Sequence, residues 1–167
     1  LTMIGNPIPD VTMGLNLNLD YKGFDFGTTL YASIGNDIVR SYERFLTYSN
    51  KPDFYLDRWT GEGTSNTVPR ASTNAANNRL FSSFYVEDGS YLRIQNVQLG
   101  YSLPKSVLEK INLTKLRLYV AVNNLYTFTD YSGYNPDISN GDPNSAGVDL
   151  GQDPQTRTFT TGINVSF

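Results

Sequence analysis

Along most of the chain hydrophobic and polar residues alternate with a period of two, the pattern of strands that present one apolar and one polar face. In residues 12–21, Leu15, Leu17, Leu19 and Tyr21 fall on one side, and Asn16, Asn18 and Asp20 on the other. Lys22-Gly23 then makes a tight connection. From Phe24 to Ile34, the series Phe24, Phe26, Thr28, Leu30, Ala32 and Ile34 opposes Asp25, Gly27, Thr29, Tyr31 and Ser33. A third strand covers residues 91–103; its alternation breaks near Gln95-Asn96, which predicts a bulge or a change of environment. Leu116, Leu118, Val120 and Val122 supply the apolar face of a fourth strand. Phe159, Ile163, Val165 and Phe167 supply that of a fifth, opposite Thr160, Gly162, Asn164 and Ser166.

Strands of roughly ten residues exceed the average globular strand of about five or six and match what crosses a bilayer as a tilted strand. The connections alternate as well: a tight turn, the long stretch 36–90, the short segment 104–113 with room for one helical turn, and the long stretch 127–155. Short turns alternating with long loops is the rhythm of an outer-membrane barrel. The predicted fold is therefore all-β, a transmembrane antiparallel β-barrel segment. A soluble β-sandwich, such as a carbohydrate-binding module, is the rival reading, because its strands also alternate. A passive porin-like barrel is a third. Five strands cannot close a barrel by themselves, and open edges in lipid would leave backbone groups unsatisfied at several kcal/mol each. The chain is expected to be part of a larger sheet.

Composition narrows the chemistry. The chain has 167 residues, 39% hydrophobic, 17% charged and 13% aromatic, a mixture unlike that of disordered segments. A net charge of −3 argues against a nucleic-acid partner. The longest purely apolar run, 118–122, is far short of the roughly 18 residues of a spanning helix. Cysteine and histidine are both absent, which removes Cys-ligated zinc, haem-ligating His, Ser-His-Asp triads and Cys nucleophiles. No enzyme activity and no cofactor are expected. The opening Leu1-Thr2-Met3 carries neither an initiator Met nor a signal-peptide pattern, so the chain reads as the continuation of an upstream segment.

The last residues, Thr160 to Phe167, place Gly162 and Val165 ahead of a terminal Phe167, an arrangement that resembles the signal by which the barrel assembly machinery recognises outer-membrane proteins. That signal often has an aromatic where Val165 stands. On this reading the C-terminus is periplasmic and the long loops are extracellular. Further motifs point the same way. Asn6-Pro7-Ile8-Pro9-Asp10, Leu19-Asp20-Tyr21-Lys22-Gly23-Phe24-Asp25-Phe26, Val86-Glu87-Asp88-Gly89-Ser90-Tyr91-Leu92-Arg93-Ile94 and Leu99-Gly100-Tyr101-Ser102-Leu103-Pro104 follow in order. They are followed by Asn123-Asn124-Leu125-Tyr126-Thr127-Phe128-Thr129 and Tyr131-Ser132-Gly133-Tyr134-Asn135-Pro136-Asp137. Together they resemble the C-terminal barrel region of SusC/RagA-type TonB-dependent transporters of Bacteroidetes. The family more often has Asp where Asn135 stands.

The resemblance implies a barrel of about 22 strands, of which this chain supplies the last five. It implies import of glycans or oligopeptides across the outer membrane, with a SusD-like surface lipoprotein as lid. Coupling to TonB would run through a plug domain that this segment does not include.

Single residues carry weaker signals. Trp59, beside Arg58 in the first long loop, could stack on a sugar face or pack within the loop; with Tyr134 these are the candidate ligand contacts. Tyr126, Phe128, Tyr131 and Tyr134 fit an interfacial aromatic girdle. Glu87, Asp88 and Arg93 suggest a lumen-facing ion pair or a lid contact, and Asp88-Gly89 a turn using positive φ at Gly89. Asn16, Asn18, Asp25, Asn123 and Asn164 would line the interior. The oxygen-rich segment 137–144 has ligands for Ca²⁺ but not the EF-hand spacing, and its residues are also turn formers. Asp20 and Asp25 straddle a short turn, which offers no cleft for glycosidase chemistry.

Overall fold

The computed structural model describes residues 2–42, 53–71, 80, 82–138 and 142–167. Lys22 and Gly23 both take positive φ, 48° and 90°, the geometry of a type I′ hairpin turn whose twist matches its flanking strands. This turn joins β1 (Val11–Tyr21) to β2 (Phe24–Ile34) in continuous antiparallel register from Val11↔Ile34 to Tyr21↔Phe24. Next to β2 lies β5 (Tyr91–Ser102), then β6 (Lys115–Thr129), then β8 (Thr158–Ser166), giving a five-stranded antiparallel sheet in the order β1-β2-β5-β6-β8. Between β5 and β6, Pro104 leads into the short helix α1 (Lys105–Leu108) and a 3₁₀ turn over Glu109–Ile111. Asn112 at φ 54° ends that turn in the left-handed conformation common at helix C-termini. The one helical turn expected here is present.

The expected break in β5 is real. Register shifts between Thr29 and Leu30 in the β2–β5 ladder and between Ile94 and Asn96 in the β5–β6 ladder leave Gln95 unpaired as a bulge. The extra residue resets the parity of β5: Val97, Leu99 and Tyr101 share a face with Ile94 and Leu92 across the bulge, opposite Phe24 to Ala32 on β2. Strand β6 runs further than the alternation at Leu116–Val122 suggests, because Asn124 at φ 52° absorbs the irregularity and Tyr126 and Phe128 continue the same face.

One face of the sheet is apolar, and none of the described residues covers it. Leu15, Leu19, Val120, Phe159 and Ile163 are 57%, 55%, 50%, 71% and 64% exposed. A sandwich would bury this face against a second sheet, so the soluble sandwich reading is set aside. The opposite face is polar and internally bonded. Thr29 Oγ1 donates to Asn16 Oδ1 at 2.8 Å, and Asn96 Nδ2 donates to Asn123 Oδ1 at 2.7 Å. Arg117 grips Asp25 with two bonds, Nε to Oδ1 at 2.9 Å and Nη2 to Oδ2. That pair reaches from β6 to β2 over Gly100 of β5, where a Cβ would collide with the Asp25 carboxylate and come within 2.6 Å of Arg117 Nη2. Among the described residues no helix is long and apolar enough to cross a membrane, which says nothing of strands.

The two long connections hold a second sheet that the periodicity does not reveal. In it β3 (Asp37–Arg40) pairs antiparallel with β4 (Val86–Asp88) and parallel with β7 (Val148–Asp149), in the order β4-β3-β7. Ile38, 1% exposed, is at its centre. The chain enters β3 through Gly35 at φ 88°, and Gly89 N donates to Asn36 O at 2.7 Å on the way out of β4. Positive φ is thus needed at Gly35 rather than at Gly89. Gly89 is small for another reason: a Cβ there would lie 2.7 Å from Ile38 Cγ1 and overlap Asn36.

The exposed apolar face gives a direct test in the complete barrel. Arg at Val120 is expected to cost about 2–4 kcal/mol of folding free energy in a bilayer, as for a basic residue near the midplane on a lipid-facing strand. Arg at Gln98, on the polar face, should cost under about 1 kcal/mol. Urea titration of refolding into vesicles measures both, and equal costs would contradict a lipid-facing assignment.

Candidate functional site

The end of the sheet that carries the long connections concentrates the buried charge of the chain. Arg40, at the end of β3, is 5% exposed and stands with Nε 2.7 Å from Glu87 Oε1 of β4. Its Nη2 donates to Phe84 O at 3.1 Å, and its guanidinium lies over the rings of Phe54 and Phe84, 5.0 and 5.7 Å from their centroids. Glu87 also accepts from Ser132 N at 2.8 Å and from Ser132 Oγ at 2.9 Å, tying the first long connection to the second. Arg93 of β5, 3% exposed, donates to Thr127 Oγ1, Asp137 Oδ2 and Asn135 Oδ1 at 3.1, 3.0 and 2.9 Å. Tyr131 OH donates to Asp149 Oδ2 at 2.6 Å, while Asp149 Oδ1 accepts from the amides of Gly151 and Gln152 at 2.7 and 2.9 Å. Buried charges persist when they are paired or hydrogen-bonded: Arg40 and Arg93 have a carboxylate and further acceptors, and Asp149 is held by one hydroxyl and two amides.

The electrostatics follow from burial at Tyr131 and from hydrogen bonding at Asp142. Desolvation pushes the Tyr131 hydroxyl above its ordinary range, and donation to the Asp149 carboxylate pushes it further the same way. Asp142 is held below the usual carboxylate range by the Asn144 amide, with the Ser145 hydroxyl adding to it. Among the described residues no three acidic side chains converge as metal ligands; residues 139–141 of the oxygen-rich segment lie outside that description.

Two recesses open at this end. One, of about 630 Å³, lies between the loop carrying Trp59 and the turn Ser83–Tyr85; Trp59, Asn66, Val68, Arg70, Phe84 and Tyr85 are among its walls. The other, of about 550 Å³, is lined almost wholly by polar residues, including Arg93, Gln95, Asn124, Asp137 and Asp153. Its walls include both irregular positions of the large sheet, the bulged Gln95 and the left-handed Asn124, whose Nδ2 holds Thr156 O at 3.1 Å.

Of the three predicted ligand contacts, Trp59 lines one of these two recesses and Arg58 and Tyr134 line neither. Trp59 is 40% exposed and its amide donates to Val68 O at 2.9 Å. Arg58 turns back to Tyr55 O at 3.3 Å and does not line the cleft. Tyr134 is 80% exposed in the second connection, away from both recesses. The expected girdle divides. Tyr126 and Phe128 are both 52% exposed on the apolar face with ring centroids 4.7 Å apart, whereas Tyr131 is buried against Asp149 and belongs to the loop core. Glu87, Asp88 and Arg93 do not pair with one another: Glu87 takes Arg40, Arg93 takes Asp137, and Asp88 Oδ1 accepts from Ser90 N at 2.8 Å. Arg40 and Asp149 carry no signal in the sequence, because parallel pairing of β3 with a two-residue strand over a hundred positions on has no local pattern.

At the other end, Gly162, Val165 and Phe167 occupy the last strand and the residue after it. Val165 pairs with Leu116 on the apolar face, and Phe167 is 92% exposed, its carbonyl accepting from Thr114 Oγ1 at 3.3 Å. Gly162 sits opposite Tyr119, whose ring covers it so closely that a Cβ would overlap the ring.

No family model matches the chain. Curated relatives do, over nearly its whole length. It is 39% identical to the TonB-dependent receptor P3 of Formosa agariphila across 99% of the chain and 17% of that receptor. It is 30% identical to the TonB-dependent receptor SusC of Bacteroides thetaiotaomicron across 96% of the chain and 15% of that receptor. Among solved structures, the RagAB peptide importer in its closed-closed state superposes with a TM-score of 0.76 at 27% identity, over 96% of this chain and 18% of that one. The large two-faced sheet is thus a strand set of a transmembrane β-barrel. More narrowly, the chain is a β-barrel segment of the SusC/RagA family of TonB-dependent receptors. It spans under a fifth of the length of the relatives it matches.

Two outcomes test the local geometry, both in the complete receptor. Tyr131→Phe leaves the buried Asp149 one donor short and is expected to cost about 1–3 kcal/mol at neutral pH. Because the folded state holds the Tyr131 proton above the ordinary range near 10, this stability is full below about pH 10 and is lost as pH rises further. The gap between wild type and Y131F in denaturant titrations should therefore narrow above that pH. Gly162→Ala should cost about 1–3 kcal/mol through overpacking against Tyr119, and Tyr119→Ala should remove most of that cost in a double-mutant cycle.

Proposed function

We propose that this chain supplies the C-terminal strands and outer loops of an outer-membrane nutrient importer, a SusC-like TonB-dependent transporter that takes up glycans or oligopeptides. The observation that carries the reading is the sheet itself, with an uncovered apolar face and an internally bonded polar face. Such a sheet is stable only where lipid covers one side and a water-filled or plugged interior meets the other. The barrel match to SusC and to the RagAB importer supports transport over a structural role.

In this reading the long connections face outward and the short turns face the periplasm, with the C-terminus. Leu56, Leu80, Tyr134 and Leu150, 77%, 61%, 80% and 60% exposed, offer apolar contacts at the outer end for a SusD-like lipoprotein lid. The terminal strand, with Gly162, Val165 and Phe167, would be read by the barrel assembly machinery. Energy would come from TonB acting through a plug domain outside this segment, and this chain would perform no catalysis.

The deciding experiment follows uptake of fluorescent oligosaccharide and oligopeptide pools by cells that carry the complete receptor, with and without TonB. Accumulation of one pool only when receptor and TonB are both present is the expected result. Uptake that persists without TonB, with steady ion conductance in a planar bilayer, would point instead to a passive pore.

A further inference from the structure

The cleft at Trp59 is braced on both sides by separate sets of bonds. On one wall, the loop 58–68 closes on itself: Trp59 N donates to Val68 O at 2.9 Å, and the amides of Thr60 and Gly61 donate to Thr64 Oγ1 at 2.9 and 3.1 Å. Val68 N donates to Ser65 Oγ at 3.1 Å. On the other wall, Arg40 holds Phe84 by its carbonyl and its ring, and the same guanidinium lies over Phe54, just ahead of the Trp59 loop. Phe84 and Tyr85 meet edge to face with centroids 5.0 Å apart, and Tyr85 is 6% exposed. A site fixed before its ligand arrives loses less entropy on binding.

The lining sets the class of ligand. An aromatic flank of Trp59, Phe84 and Tyr85 meets hydroxyl and amide groups of Ser65, Asn66, Thr67 and Ser82. Among the described residues Arg70 is the one charged side chain in the wall and no carboxylate lines it, although the chain as a whole is acidic. The recess is shallow and open to solvent, with about 630 Å³ of accessible space, a shape that takes one face of an extended ligand rather than enclosing it. A flat apolar ring beside neutral hydrogen-bonding groups matches a pyranose, which has an apolar C–H face and a rim of hydroxyls. It suits a charged peptide less well, because a basic side chain would find no acidic partner among the described residues there.

We propose that this cleft is a glycan-binding subsite at the outer end of the barrel, with Trp59 as its stacking platform and Arg40 as the residue that positions the opposite wall. The inference rests on the importer reading above and narrows its substrate to an oligosaccharide.

The test uses the complete receptor purified with its lipoprotein partner, titrated calorimetrically with maltoheptaose, xylohexaose, an oligouronate and a tryptic digest of casein. One of the sugars should bind, and Trp59→Ala should weaken it about tenfold or more, with Trp59→Phe recovering most of the affinity. Glu62→Gln, at an exposed position of the same loop outside the cleft lining, should leave binding unchanged. Binding to none of the three sugars, or sugar binding indifferent to W59A, overturns the subsite. TonB-dependent uptake of peptide with no sugar binding would remove the glycan assignment and leave the importer standing. Loss of TonB dependence would remove the importer reading.

Discussion

Everything in this chain is arranged around an apolar sheet face that the chain does not cover. In water, side chains such as Leu15, Leu19, Phe159 and Ile163 would leave a large hydrophobic surface open, which soluble monomers avoid. In a bilayer the same face gains from burial in lipid, and the backbone is satisfied because each strand bonds its neighbours. The bulge in β5 keeps this arrangement intact. It inserts Gln95 yet returns Ile94 and Leu92 to the apolar side, so the irregularity does not turn polar groups toward lipid.

The polar face solves a different problem. Side chains that point into a barrel interior must be held without a packed hydrophobic layer. Here they hold one another across strands: Asn16 with Thr29, Asn96 with Asn123, and Asp25 with Arg117. Two glycines make the closest contacts possible, Gly100 beneath the Asp25–Arg117 pair and Gly162 beneath the Tyr119 ring. The glycine that the terminal motif shares with assembly signals therefore also has a packing reason within the sheet.

The long connections form a small sheet of their own, bound by Arg40–Glu87, Arg93–Asp137 and Tyr131–Asp149. This network converts segments that would otherwise be solvated loops into a braced platform. Arg40 matters most, because one guanidinium joins β3, β4 and the turn before it, and stacks on the segment that leads to Trp59. The recess at Trp59 thus depends on a residue remote from it in sequence.

The five long strands, the Lys22-Gly23 turn, the bulge near Gln95 and the helical turn after Pro104 were legible from the sequence, because each is set by local alternation or by a residue's own backbone preference. Tyr126 and Phe128 were legible as part of an aromatic cluster, although the alternation read for this strand stops at Val122. The three-stranded sheet, the burial of Tyr131, the separation of Glu87 from Arg93 and the placing of Trp59 in a cleft without Arg58 or Tyr134 were not. These depend on pairings between segments distant in sequence, such as Arg40 beside Asp149, and short strands joined that way leave no periodic trace. Period-two patterning determined which face meets lipid; only tertiary structure decided how the loops meet, because that outcome rests on long-range pairing of buried charge rather than on any local preference.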